Sequence, residues 1–472
     1  MRNFIQNQYI YFAVFILMVI FRADTCLAEF TIEDEKKLGK EFYEKLEENQ
    51  LVLHNKILKD YVTKIGNLIL SQSTRSPFKF NFYIINSSAI NAFATPGGYI
   101  YINKGLIMSA ENEAELAGVI AHEIGHAKAR HIASIIEKSQ KLNMAALAAL
   151  LAGAFLGGGQ TSAAIASFSI AGASSLTLKY MREHEEEADR LGMEYLVRAG
   201  FYPTAMIDFL KIMKKHEFIS KTMPSYLLTH PGTDDRIIYM DALILTKYRQ
   251  SGEKNIIDKF NRIQSLIPLD AFELNKRYKQ LENSLHSDPN NTELLYSFAL
   301  AEDQIGQTDA SLQHFHKALS LSPDDADILK NIGLLYLKKN RLDLAENYLE
   351  KAIKLNPDND EVVLAMGKTY FASSQYQKAL DCYLQLQDRS FDDIDINYFI
   401  AMTYGKLNHQ GEFHYYFGLY LKKEKKKESA LFHFKEALKF FPQGSERNDA
   451  IHKAIKELNT EDAPRLFIKP PP

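Results

Sequence analysis

Cysteine is nearly absent from this chain: 472 residues hold two, Cys26 and Cys382. If the N-terminal segment is removed as argued below, Cys382 stands alone and no internal disulfide can brace the fold. An excess of charge is missing as well. Lys and Arg total 56 against 59 Asp and Glu, a formal net charge of −3. That balance offers no electrostatic footprint for nucleic acid, no acidic tail and no polybasic segment. Long apolar runs are also lacking: nothing reaches the ~18 uninterrupted apolar residues of a membrane-spanning helix.

A shorter apolar run opens the chain. Arg2 precedes Tyr9 to Phe21, followed by polar Arg22-Ala23-Asp24-Thr25 and then Cys26-Leu27-Ala28. This is the layout of a secretory signal peptide, 1–28, cleaved after Ala28. The apolar run is well short of the ~20 residues a spanning helix needs. The competing readings are an uncleaved anchor and a buried helix. The rest has ordinary globular composition, with 46% hydrophobic and 24% charged residues. Its length suggests two to four folding units at about 100–200 residues each.

Residues 31–70 show helical spacing of apolar positions among many charges. Phe78 to Ile84 alternates as a strand does, Asn91 to Ala94 gives a second strand signal, and Pro96-Gly97-Gly98 turns the chain into a returning strand, Tyr99 to Ile102. A long helix is expected from Glu111 to Ile136, with Glu111, Glu113 and Glu115 near its positive end. Residues 142–178 are rich in Ala, Gly, Ser and Leu. They read either as a helical hairpin packed on the domain or as a lid or membrane-surface element. A further helix is expected from Lys179 to Ala199, stopped by Gly200 with Pro203 beyond.

The second half repeats. Pro289, Pro323 and Pro357 are 34 residues apart. Small residues follow in register at Ala299, Gly333 and Gly367, and again at Ala345 and Ala379, with Tyr336 and Tyr370 between them. Ala318 and Ala352 precede the second and third prolines. This is the period and pattern of the tetratricopeptide helix–turn–helix unit, which stacks into a solenoid with a concave binding face. Gly418, Ala430, Ala437 and Pro442 suggest a further unit, while 391–410 fits the period less well. A disordered tail is expected over 459–472.

Chemistry concentrates in His122-Glu123-Ile124-Gly125-His126. Two histidines four apart on a helix present their imidazoles from one face, so both can hold one zinc ion. Glu123 sits where a general base for water is needed. The apolar Ala117-Gly118-Val119-Ile120-Ala121 before it argues for a buried helix rather than a solvated face. A catalytic zinc also needs a third protein ligand and an open position. Ile132 stands where a metzincin has its third histidine, which excludes that class. His131, one residue earlier, is read as structural and pointing elsewhere on the helix. In Glu183-His184-Glu185-Glu186-Glu187-Ala188-Asp189, Glu185 and Asp189 share a face. Glu185 can ligate zinc while Asp189 orients a ligand histidine, and Ala188 permits close helix packing. The alternative is an exposed acidic helix.

Asn91-Ala92-Phe93-Ala94-Thr95-Pro96-Gly97-Gly98-Tyr99-Ile100, the zinc helix and Glu185-Glu186-Glu187-Ala188-Asp189 together resemble the gluzincin family of HtpX and the CAAX prenyl endopeptidase. The resemblance covers about residues 30–250. It implies zinc ligands at His122, His126 and Glu185, one ion per chain, with Glu123 as general base and Asp189 as a further catalytic-site residue. Unlike those two enzymes, the chain lacks multiple membrane helices. An exported peptidase domain followed by tetratricopeptide repeats is similar to the periplasmic β-barrel assembly-enhancing proteases. In that group a Thr-His-Pro segment follows, matched here by Thr229-His230-Pro231, with Arg236 soon after. His230 is then a fourth, reversible ligand, an oxyanion donor, or a structural loop residue; Arg236 is a second oxyanion candidate.

The expected fold class is mostly α. An α+β metallopeptidase domain with a small sheet spans 29–265, and an all-α repeat solenoid spans 270–458. Asn91, Ala92, Phe93 and Ala94 are expected to form an edge strand that pairs with extended substrate. The resemblance implies a periplasmic location, possible outer-membrane association, misfolded envelope proteins as substrates and the β-barrel assembly machinery as a partner of the repeats. A chaperone-like scaffold with a largely silent protease is the other functional reading. No nucleic-acid partner is expected.

Overall fold

The computed structural model describes residues 30–138, 182–220, 224–248, 252–257, 259–389 and 395–460. The proposed leader, the segment 142–178 and the end of the proposed tail lie outside them. Two compact units divide between Ile267 and Pro268. No described helix is long and apolar enough to cross a membrane. The protein is mostly α-helical, as expected.

In the first unit, the 31–70 region is two helices, α1 (Ile32–Glu48) and α2 (Lys56–Ser71). Thr31 starts α1 through a reciprocal capping box with Asp34, which satisfies donors the first turn leaves open. Three strands follow: β1 (Asn81–Ile85), β2 (Ala92–Thr95) and β3 (Tyr99–Asn103). Their order is β1-β3-β2, with β1 parallel and β2 antiparallel to β3. The turn between β2 and β3 needs Gly97 and Gly98, whose φ values are 85° and 86°. Phe42 of α1 packs edge-on against Phe93 and Tyr101, which covers one sheet face. The strand at 92–95 is therefore at the sheet edge among the described residues. All four of its residues are buried.

After α3 (Lys104–Ser109) comes the central helix, α4 (Glu113–Lys128). Asn112 caps it by accepting from the Glu115 amide, and Glu113 and Glu115 face its positive end. Every residue from Glu113 to Ala127 is buried, so α4 is enclosed on all sides rather than amphipathic. The single helix expected over 111–136 is broken. Arg130 adopts a left-handed φ of 56°, and α5 (His131–Lys138) starts in a new direction. Arg130 is held there by Glu35, 2.5 Å away, and by donation to the Phe30 carbonyl at 3.0 Å. The unit continues with α6 (Arg182–Arg198), α7 (Ala205–Ser220), α8 (Ser225–Thr229), α9 (Thr233–Thr246) and α10 (Phe260–Ser265).

The second unit opens with α11 (Ala271–Ser287). Paired helices then follow: α12 (Thr292–Gln304) with α13 (Thr308–Leu321), α14 (Ala326–Lys338) with α15 (Leu342–Leu355), and α16 (Asp360–Ala372) with α17 (Tyr376–Asp388). The small residues found by periodicity are the contact points. A Cβ at Gly333 would meet the Leu349 side chain at 2.7 Å, and one at Gly367 would meet Tyr383 at 2.6 Å. Beyond them lie α18 (Ile396–Lys406), α19 (Gln410–Lys423), α20 (Lys427–Ala437) and α21 (Glu446–Thr460). Gly418 meets Phe434 in the same way, so the further unit read at Gly418 and Ala430 is α19 packed on α20. The helix α18 is an additional element, which is why 391–410 departs from the period. The last helix runs to Thr460, so residues 459 and 460 belong to it rather than to a tail.

Candidate metal centre

Four buried side chains converge between α4, α6 and the end of α8. They are His122, His126, Glu185 and His230, and one donor atom from each lies within 4.8 Å of all the others. Two glycines make this convergence possible. A Cβ on Gly125 of α4 would lie 2.8 Å from the Ala188 carbonyl of α6, and one on Gly192 would lie 2.9 Å from the His122 amide nitrogen. The helices therefore touch backbone to backbone, which puts Glu185 within reach of both histidines. His230 arrives from the other side. The Tyr226 amide donates to the Ile90 carbonyl at 3.1 Å, which ties α8 to the chain just before β2. The Tyr226 ring then stacks on His230 with centroids 4.4 Å apart.

Imidazole nitrogens and a carboxylate crowd one point. His122 Nε2 is 3.0 Å from His126 Nε2 and 3.5 Å from Glu185 Oε2; His126 Nε2 is 3.3 Å from Glu185 Oε1. His230 Nδ1 is 3.3 Å from His122 Nε2 and 3.1 Å from Glu185 Oε1. Four ligands set tetrahedrally at about 2.0–2.1 Å from an ion would be about 3.3–3.4 Å from one another. The observed separations bracket that value, so these residues fit a metal ion.

A second layer fixes them. His122 Nδ1 lies 2.8 Å from Asp189 Oδ1. Arg236, at the start of α9, grips Asp189 with two nitrogens at 2.7 and 2.6 Å and places the third 2.7 Å from Glu185 Oε2. His126 turns its Nδ1 to His131 Nδ1 at 2.8 Å, and His131 Nε2 lies 3.2 Å from Glu187 Oε2. Glu123 is fully buried, yet neither carboxylate oxygen has a hydrogen-bond partner among the described residues. His230 Nε2 is 3.4 Å from Glu123 Oε1.

The charge states follow from burial and these neighbours. Burial and Arg236 pull the His122 pKa down, but Asp189 and Glu185 outweigh them and hold it at about 9 in the metal-free chain. Burial together with His122 pushes His126 well below the usual imidazole range. Burial would raise Glu185, but His230 and Arg236 outweigh it and hold the carboxyl well below its ordinary value. Burial raises Glu123 above the ordinary carboxylate value, only partly offset by His230 and His122.

The structure thus brings together His122, Glu123, His126, Glu185, Asp189, His230 and Arg236, all singled out from sequence. Arg236 faces Asp189 and Glu185 with all three of its guanidinium nitrogens. His131 corrects the sequence reading: it points at the site, because the break at Arg130 swings it back toward His126. Glu187 and Tyr226 were missed as contributors. Glu187 looked like one more charge in an acidic run, and Tyr226 sits in a short helix with no motif.

The match to known proteins agrees with this geometry. Residues 57–244 match the model of Peptidase family M48. All four converging donors fall inside it. Residues 326–359 match the tetratricopeptide repeat. Over the peptidase region the chain is 33% identical to the beta-barrel assembly-enhancing protease of Yersinia pestis, across 44% of each chain. It is 31% identical to the protein of that name from Escherichia coli K12, across 44% of this chain and 43% of the relative. The mitochondrial metalloendopeptidase OMA1 of Schizosaccharomyces pombe is 31% identical across 38% of this chain and half of its own length. The matched region therefore spans half or less of each relative. Among solved structures, a tetratricopeptide repeat protein from Parabacteroides merdae is 15% identical with a TM-score of 0.30, covering 54% of this chain and 98% of that one.

Enlarging either glycine at the crossing should open the site. Gly125→Val drives a side chain into the Ala188 backbone, and overpacking of this kind costs about 1–3 kcal/mol. We expect a folded protein with a lowered melting temperature and clearly reduced metal content, read by thermal denaturation and elemental analysis. Undiminished metal content would show that the close crossing is not what positions Glu185.

Proposed function

We propose that this chain is a zinc-dependent endopeptidase of the cell envelope that hydrolyses misfolded or stalled outer-membrane proteins. The observation that carries this reading is the buried set His122, His126, Glu185 and His230 at metal-ligand spacing beside Glu123, whose carboxylate holds no hydrogen bond among the described residues. Imidazole and carboxylate donors in a four-fold arrangement suit zinc. Bound zinc supplies Lewis acidity for a scissile carbonyl and lowers the pKa of water.

The chain's own residues do the rest. His122, His126 and Glu185 hold the ion. Asp189, clamped by Arg236, accepts from His122 Nδ1 and so leaves Nε2 as the donor toward the metal. Glu123 takes the proton from attacking water and delivers it to the leaving amine. Extended substrate adds to β2, with its backbone aligned beside the centre. Because residues 92–95 are buried, access to that edge has to open before a substrate can pair there. The repeats recruit substrate or the β-barrel assembly machinery, and the protein works in the periplasm. The names of the two bacterial relatives support the envelope part of this reading.

His230 favours a second, compatible reading, in which the protease is silent most of the time and the protein acts as a scaffold. Its Nδ1 occupies the fourth corner of the cluster, the position a catalytic centre must leave open. On this view His230 withdraws on activation and so vacates that corner of the cluster. His230→Ala should raise basal casein cleavage severalfold while retaining zinc; unchanged activity and unchanged zinc geometry would remove His230 from the centre.

The direct test is zinc quantification together with casein cleavage by the purified chain, with and without a chelator. One zinc per chain and chelator-sensitive cleavage are expected. Cleavage that survives complete metal removal refutes the proposal. Client rescue by wild type and by Glu123→Gln separates protease from scaffold, since equal rescue favours the scaffold.

A further inference from the structure

We propose that His131 and Glu187 form a hydrogen-bond relay that decides which nitrogen of His126 faces the metal. The inference rests on the reading of the cluster as a metal centre. His126 has its Nε2 in the cluster, 3.0 Å from His122 Nε2 and 3.3 Å from Glu185 Oε1, and its Nδ1 2.8 Å from His131 Nδ1. Two ring nitrogens that close need a proton between them. The other nitrogen of His131 is 3.2 Å from Glu187 Oε2, and an ionised carboxylate only accepts. A neutral His131 then carries its proton on Nε2 and keeps a lone pair on Nδ1. His126 must then donate from Nδ1, which leaves its Nε2 lone pair directed at the ion. For a neutral His131 this placement of protons satisfies both the His126–His131 and the His131–Glu187 contacts, and it is the placement a metal ligand requires.

The fold holds the relay in place. The left-handed Arg130 redirects the chain so that His131 follows His126 on the same side. The His184 ring stacks on His131 with centroids 4.4 Å apart and planes at 19°, which sets the plane of the relay ring. The two ligand histidines are thereby oriented by different means. His122 is served by Asp189, fully buried and gripped by Arg236. His126 is served by a second imidazole whose far end meets Glu187, a side chain 48% exposed. His131 and Glu187 are positioning residues; neither touches the reacting atoms.

The test measures zinc affinity of the full chain by competition with a chromophoric chelator, alongside melting of the metal-free proteins. His131→Leu removes the acceptor and should weaken zinc binding by about 10–100-fold, the usual cost of losing an outer-shell partner. His131→Asn keeps an acceptor oxygen near the Nδ1 position and should recover most of that loss, which a merely space-filling role would not predict. Glu187→Ala should fall between the two. In the zinc-loaded wild type labelled with 15N-histidine, His126 should appear protonated on Nδ1. Leu binding zinc as tightly as wild type, Asn as weak as Leu, or a protonated His126 Nε2 each overturns the relay. The NMR assignment decides even if His131→Leu does not fold. A wild-type chain that binds no zinc removes the metal-centre reading itself, and the relay with it.

Discussion

Glu123→Gln should retain the fold and the metal while peptide hydrolysis falls by about 10²–10⁴-fold, the range spanned by loss of a general acid–base group. The structure makes the first half of this expectation firm. Neither oxygen of Glu123 holds a hydrogen bond among the described residues, and an amide of the same shape can still face His230 Nε2, 3.4 Å from Oε1. Glu123 is also not one of the four converging donors. The second half follows from what the amide lacks. Burial raises the Glu123 carboxyl above its ordinary value, against the pull of His230 and His122. A raised carboxyl holds a proton more readily than an ordinary one, which suits a group that must accept a proton from water and return it. Glutamine can do neither. Casein hydrolysis, zinc content and thermal melting on the same preparation check all parts at once. If Glu123→Gln cleaves within a few-fold of wild type, another group is the base.

The parts of this architecture that were legible in the sequence are those governed by short periodicities. Two histidines four apart and a carboxylate pair four apart each define a helix face whatever the surrounding fold, which made His122, His126, Glu185 and Asp189 candidates; the gluzincin resemblance chose them over an exposed acidic helix. The 34-residue spacing of Pro289, Pro323 and Pro357 likewise fixed the helix pairs, because each small residue lies where a neighbouring helix must approach. What failed to show were features set by single backbone torsions or by distant partners. The helical pattern runs on through Arg130, and nothing local marks its left-handed φ; the conformation is held by Glu35, far away in the chain. His131 was misread for that reason alone. The turn glycines show that β2 returns antiparallel into β3, but the parallel pairing of β1 with β3 has no local signature. The short α18 was obscured because it breaks the repeat period without replacing it by another.

Removing the positive charge at Arg236 should be the most damaging single change to the metal-free fold. Arg236 is buried, and its three guanidinium nitrogens lie within 2.7 Å of Asp189 and Glu185, both buried as well. Burial opposes its charge, but those two carboxylates more than offset the penalty and hold its pKa well above the ordinary value. Arg236→Ala leaves two carboxylates in a low-dielectric interior with only imidazoles, including His122 and His230, as their remaining partners among the described residues. Breaking a buried ion pair from one side costs about 3–5 kcal/mol. Arg236→Lys should restore only part of this, since a single ammonium cannot grip Asp189 with two nitrogens while also facing Glu185. Zinc distinguishes this account from a simple packing defect. A divalent ion beside Glu185 replaces part of the missing positive charge, so added zinc should raise the melting temperature of Arg236→Ala by more than that of wild type. A packing defect would instead lower both forms equally. Equal zinc-induced shifts in the two proteins would mean that Arg236 is not a charge clamp for the centre.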